Sequence, residues 1–160
     1  MESSETLIHE NWVAAAIWCQ SVAIAYLEIV EWVPLGNWNN IKNGNGQASL
    51  DIVMGLVLAM TVVFYLKRWR WAMLAGPTLY GFWFCLQITT WWLPYLRGAT
   101  PQWAAIYSRW FASTYKFLPA IGNHPVPDAE HTVLTAILIA ALVASVGACR
   151  EQFRSYPTTE

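Results

Sequence analysis

W-V-A-A-A-I-W-C-Q-S-V-A-I-A-Y-L-E-I-V-E-W-V, residues 12–33, is an apolar run whose only charged side chains, Glu28 and Glu31, come at its end. At about 1.5 Å of rise per residue, such a run reaches across the hydrocarbon layer of a bilayer. Gln20, Ser21, Glu28 and Glu31 fall roughly on one side of the predicted helix, and Val, Ile, Ala and Leu take the other. Pro34 closes it. Whether these residues form a membrane helix decides how every later segment is read.

Composition favours the membrane. The chain has 160 residues, of which 56% are hydrophobic and 12% charged, where soluble domains average about 25% charged. That leaves too little polar surface to face water. The formal net charge of −1 argues against a nucleic-acid partner. Cys19, Cys85 and Cys149 form no C-x-x-C pair and read as buried small hydrophobes rather than redox thiols. The first residues, M-E-S-S-E-T-L-I-H-E-N, carry no Lys or Arg, so a secretory signal peptide is not expected. Eleven tryptophans exceed what two interfacial belts require, so some are expected to line a site.

Beyond Pro34 an Asn- and Gly-rich loop, with N-G-N-G at 43–46, leads to a second apolar run at 50–66. Ser49 and Asp51 suit its first turn, and Gly55 and Ala59 offer a small contact face. Lys67, Arg68 and Arg70 then separate it from a third run at 72–96, so short a link that the two helices should be antiparallel neighbours. Pro77 sits near the start of that run, where a proline is tolerated. Tyr80, Trp83, Gln87, Thr90 and Trp91 make an aromatic and polar stripe along it. Thr100 and Pro101 read as an N-cap and first helical residue. From there 101–116 alternates Trp103, Ile106, Tyr107, Trp110 and Phe111 with polar residues, as an interfacial helix would. A proline- and glycine-punctuated loop carrying His124 precedes the last apolar run, 132–149, where Ala140, Ala144 and Ala148 are four apart.

The reading is therefore an all-α polytopic membrane protein forming one integral-membrane domain over 1–160. Four transmembrane helices (about 12–33, 50–66, 72–96 and 132–149) make an antiparallel bundle, with one amphipathic interfacial helix (101–116) before the last span. Lys67, Arg68, Arg70, Arg150 and Arg154 lie close to span ends on one side, which the positive-inside rule makes cytoplasmic, along with both termini.

This topology gathers Glu28, Glu31, Asp51, Trp91, Trp92, Tyr95, Arg97, His124, Asp128 and His131 at the opposite end. Two adjacent carboxylates in a low-dielectric site cannot both ionise cheaply, so Glu28 and Glu31 can supply an acid and a base. Their structural alternative is to anchor the helix end at headgroups or to pair with Arg97 or Lys116. Asp128 reads as a helix cap and His131 as an interfacial base. The prolines at 125 and 127 make a metal set of His124, Asp128 and His131 hard to read, and no metal or cofactor is expected.

The first functional expectation is a membrane-embedded enzyme doing acid–base chemistry (isomerisation, cyclisation or hydrolysis) on a lipophilic, isoprenoid- or sterol-like substrate. Glu28 and Glu31 would be acid and base, with Asp51 or His131 assisting. Trp32, Trp38, Gln87, Trp91, Trp92 and Tyr95 would line the pocket, where an aromatic wall attracts developing positive charge. The expected partners are the bilayer and a lipophilic small molecule. The alternatives are a proton- or cation-coupled transporter or channel component, for which four short helices would require a homo-oligomer, and an accessory subunit whose polar groups meet a partner protein. The topology predicts that reporters fused at the C-terminus and within 37–47 report opposite sides of the membrane; the same side for both would reject it.

Overall fold

The computed structural model describes residues 2–39 and 48–154, with side-chain surroundings for 11–39 and 51–154. The N-G-N-G turn and Lys42 lie outside these residues. The described chain is all-helical: α1 (Glu2–Trp32), α2 (Ala48–Leu66), a 3₁₀ turn (Ala72–Leu74), α3 (Ala75–Gln87), a π turn (Ile88–Trp92), α4 (Leu93–Arg97), α5 (Pro101–Trp110) and α6 (Ala129–Arg154). Two stretches, Asn11–Trp32 and Ala129–Arg154, are long and apolar enough to cross a membrane, and Asp51–Leu66 is a shorter apolar helix. The third expected span is divided by its π turn.

The helix ends have identifiable causes. Past α1, Asn39 folds back, its amide donating to the Val30 and Val33 carbonyls while its oxygen accepts from Leu35 N. It thereby satisfies carbonyls that a helix end leaves orphaned. At the end of α2, Arg68 takes a left-handed conformation (φ 53°). Its N–H donates to Tyr65 O, and Trp69 N–H donates to Phe64 O. These are the paired bonds of a Schellman motif, and the Phe64–Trp69 ring contact at 6.1 Å supplies its apolar clasp.

Pro94 accounts for the π turn. It has no N–H to donate, and its ring crowds the carbonyl four residues back, so the helix widens there. Leu93 N–H reaches Ile88 O, one residue further back than an α-helix requires. Gly98 (φ 91°) then turns the chain at a backbone angle that other residues rarely adopt, close against the His124 ring. Thr100 caps α5 by accepting from Trp103 N, with Pro101 following, as expected. The helix stops at Trp110 rather than 116. Lys116 curls back to donate to the Phe111, Ala112 and Thr114 carbonyls, which holds 111–116 as a turn.

α6 packs against α1 and α3, and α1 against α2; α3 touches α2 chiefly near their connection. The small-residue face of α6 is Ala141, Ala144 and Ala148, all buried, with Ala140 exposed instead. On α2, Gly55 is buried and any Cβ there would collide with the Glu28 carboxylate, whereas Ala59 is exposed. Between the apolar clusters sits a polar knot. Gln20 donates to Ser145 Oγ at 2.9 Å and accepts from Thr61 Oγ1 at 2.9 Å. All three side chains are at most 1% exposed. Outside the bundle, Trp18, Leu56 and Phe82 are each more than 60% exposed.

Gln20→Leu keeps the volume but leaves Ser145 without its donor. It should lower unfolding stability by about 1–2 kcal/mol, the range for interhelical bonds in apolar surroundings. Unfolding in mixed micelles should also find Gln20→Leu and Ser145→Ala non-additive; strict additivity would mean that the bond carries no energy.

Candidate functional site

The two expected carboxylate partners, Glu28 and Glu31, lie on the last turns of α1. Glu28 accepts from Trp32 Nε1 at 2.9 Å and rests over Gly55. Glu31 is within electrostatic reach of Glu28 and Asp51, and Asp51 stands in the first turn of α2, as expected. Trp38 donates to the Tyr26 hydroxyl at 3.1 Å, and Tyr26 donates to Glu130 O at 3.0 Å, which ties the loop after α1 to the start of α6. Gln87 is buried with its Oε1 unbonded. Trp92 donates to Thr135 Oγ1, and Tyr95 to Pro119 O. These groups brace helices and loops.

His131 has different surroundings. Its ring stacks on Trp91, with centroids 3.8 Å apart and planes 30° apart, and Phe111 meets it edge-on at 5.6 Å. Trp91 is itself met edge-on by Trp103 at 5.5 Å and Phe111 at 4.8 Å. The π turn supplies Trp91, α5 supplies Trp103, and the turn after α5 supplies Phe111. Such offset and edge contacts suit the quadrupoles of the rings.

Asp128 orients the imidazole. One carboxylate oxygen, Oδ1, accepts from His131 N at 3.0 Å and lies 2.7 Å from His131 Nδ1. Asp128 is therefore the N-cap expected from sequence and a partner of the His131 ring as well. It is fully buried. Burial alone would push its carboxyl up, but the hydrogen bonds and charge of His131 and the nearby Thr114 hydroxyl outweigh this and hold it below its ordinary value. An ionised carboxylate only accepts, so the proton of the short contact belongs to Nδ1, and Nε2 is the nitrogen free to exchange protons.

The loop between α5 and α6 is fastened on several sides. Tyr107 Oη donates to Val126 O and accepts from Val126 N. His124 Nδ1 lies 2.8 Å from Tyr95 O and ties the loop to α4. Backbone bonds from Tyr115 N to Asn37 O and from Ala129 N to Tyr115 O join the loop to the end of α1 and the start of α6. Burial pulls the Lys116 ammonium below its ordinary value, and Asp128 opposes the shift.

His131 lines an open cleft of about 810 Å³, with Trp91, Trp103, Arg109, Trp110 and Phe111 around it. Of the ten expected site residues, His131 and Trp91 share this cleft, whereas Glu28, Glu31 and Asp51 do not line it. From sequence, Asp128 reads as a cap or a metal ligand at this end, not as the partner of an imidazole, and Phe111 and Trp103 read only as part of an amphipathic face. The signal for the Asp128 pairing is a histidine three residues after an aspartate at a helix start. Among the described residues, no three His, Cys, Asp or Glu side chains come close enough to hold a metal ion. No protein-family model, curated protein or solved structure matches this chain.

Asp128→Ala removes both the cap and the partner of His131 and should cost about 2–4 kcal/mol of stability. Asp128→Asn still caps and should cost about half as much. Because the folded carboxyl titrates below its ordinary 3.8, its stabilisation is complete above that pH and lost as pH falls through the lower folded value. Thermal unfolding against pH should show this acid loss in the parent chain and a flatter profile in Asp128→Asn; identical profiles would remove Asp128 as the titrating group.

Proposed function

We propose that the chain is a membrane-embedded enzyme that moves a proton on a lipophilic substrate, with His131 as the acid–base group. The observation that carries this reading is the His131 ring, held at Nδ1 by buried Asp128 and stacked on Trp91 at the wall of an aromatic cleft. Asp128 fixes the tautomer and orientation, so Nε2 can take a proton from one substrate atom and return it to another. The face of Trp91 and the carboxylate of Asp128 both favour positive charge developing on the ring or on a bound substrate. Isomerisation fits this equipment best, since one base in an aromatic cleft suffices. Cyclisation and hydrolysis use the same proton transfer.

The bilayer reading rests on two spanning-length helices and on the apolar side chains that face outward. Burying a side chain such as Leu56 or Phe82 in lipid instead of exposing it is worth roughly 1.5–3 kcal/mol. With termini cytoplasmic, α5 and the loop before α6 lie at the far surface, and the cleft sits where an amphipathic substrate would enter from the bilayer.

One observation favours a second reading, proton- or cation-coupled transport. Glu31 lies within electrostatic reach of Glu28, Asp51 and Glu130 at the same end of the bundle. The two readings separate by mutation. His131→Gln should cut turnover by a factor on the order of 10² to 10⁴ while leaving the fold intact, and Asp128→Asn should also slow turnover markedly. Glu31→Gln should leave turnover within a few-fold. The measurement is conversion of lipid extracts by the purified protein, followed by mass spectrometry. Proton flux into vesicles that is lost in Glu31→Gln and kept in His131→Gln would favour transport instead.

A further inference from the structure

We infer that the His131 cleft takes an amphiphile with an oxyanion head, a phosphate or carboxylate on an apolar body, and that Arg109 is the residue that recognises the head. This deepens the enzyme reading and rests on the cleft being the substrate site.

The first argument is an imbalance of hydrogen-bonding groups. Arg109 lines the cleft, is exposed, and forms no ion pair or hydrogen bond among the described residues. Lys116, the other cation near this end of α5, is committed to the carbonyls of Phe111, Ala112 and Thr114 and lies over the Tyr107 ring. The carboxylate of Asp128 is engaged by His131. Trp103 lines the same cleft, and its indole N–H is buried without an acceptor. The cleft thus presents an unpaired guanidinium beside His131 Nε2, with the Thr90 hydroxyl as its one side-chain oxygen. A guanidinium with no anionic partner is complementary to an oxyanion and binds carboxylate or phosphate through two parallel bonds.

The second argument is shape. The rest of the wall, Trp91, Trp110, Phe111 and Ile106, is aromatic and aliphatic and carries no charge. The volume of about 810 Å³ lies within the range that holds a small-molecule ligand, roughly 300–1,000 Å³. A smaller cleft of about 410 Å³ shares Thr90 and Trp103 with it and continues along Leu93 and Pro94 to Arg97. An apolar chain can extend that way while its head stays at Arg109.

The test uses the whole protein in neutral maltoside micelles, with the histidine rings carbon-13 labelled. The His131 resonance is identified by its loss in His131→Gln, and Trp91 stacking should displace it upfield. Three probes are titrated: dodecyl phosphate, inorganic phosphate and dodecyltrimethylammonium. Dodecyl phosphate should shift the His131 resonance saturably. Arg109→Gln should weaken this at least tenfold, Arg109→Lys should retain part of it, and Arg97→Gln should change it less than twofold. Equal response to dodecyltrimethylammonium, or undiminished binding in Arg109→Gln, overturns the proposal. Inorganic phosphate binding as tightly as dodecyl phosphate overturns the amphiphile. Arg109-dependent binding without turnover of any lipid extract would sink the enzyme reading alone. His131-dependent turnover of a neutral or cationic lipid, with no response to dodecyl phosphate, would sink the oxyanion proposal alone.

Discussion

The bundle depends on the amide of Gln20, which joins three helices at one level. It donates to Ser145 on α6 and accepts from Thr61 on α2, while Tyr80 of α3 points its hydroxyl toward the Gln20 carbonyl at 3.5 Å. Apolar packing between helices of Ala, Val and Leu tolerates sliding, because one small residue fits much like the next. A buried amide does not tolerate it, since displacement leaves donors and acceptors unpaired at a cost of about 1–3 kcal/mol each. Register at this level fixes positions several turns away. Tyr26 then reaches the Glu130 carbonyl, and the residues after α1 reach Tyr115, so the start of α6 is set where Asp128 and His131 stand.

At that end, the contrast between the two acidic groups is one of compensation. Asp128 is the more deeply buried, yet its charge is matched by the His131 backbone and ring, with Thr114 beside it and Lys116 in electrostatic reach. Glu28 and Glu31 are only partly buried and lie beside further carboxylates. A buried carboxylate survives where donors meet it, here at Oδ1, and that same arrangement holds its partner imidazole in one orientation.

Much of the fold was legible in the sequence, because the signals were local. Pro34, Thr100 and Pro101 marked helix limits, Asp128 marked a cap, and apolar runs marked the long helices. The end of the bundle that carries the candidate groups was also legible, and His131 and Trp91 were named. What escaped depends on the chain meeting itself. Lys116 holds the segment after α5 as a turn by reaching back to its carbonyls, which no apolar periodicity records. Phe111 and Trp103 join His131 only because the loop before α6 is fastened to Tyr95, Tyr107 and Asn37. The α6 packing face was misplaced by one residue, Ala140 for Ala141, since alanines at both positions fit a spacing of about four equally well. Glu28 and Glu31 drew attention because charges in an apolar run are conspicuous, although conspicuousness says nothing about which cleft a side chain lines.

Arg68 carries a different lesson. Its left-handed backbone is one that glycine adopts freely and that costs other residues roughly 1–2 kcal/mol. The finished bundle gains nothing evident from arginine there, since the side chain is exposed and the turn is closed by backbone bonds and the Phe64–Trp69 contact. Arginine supplies charge beside Lys67 and Arg70 in the short link after α2. On the bilayer reading, that charge matters while the nascent hairpin is being threaded and its sidedness decided. On that reading, the strain at Arg68 would be a trace of biogenesis.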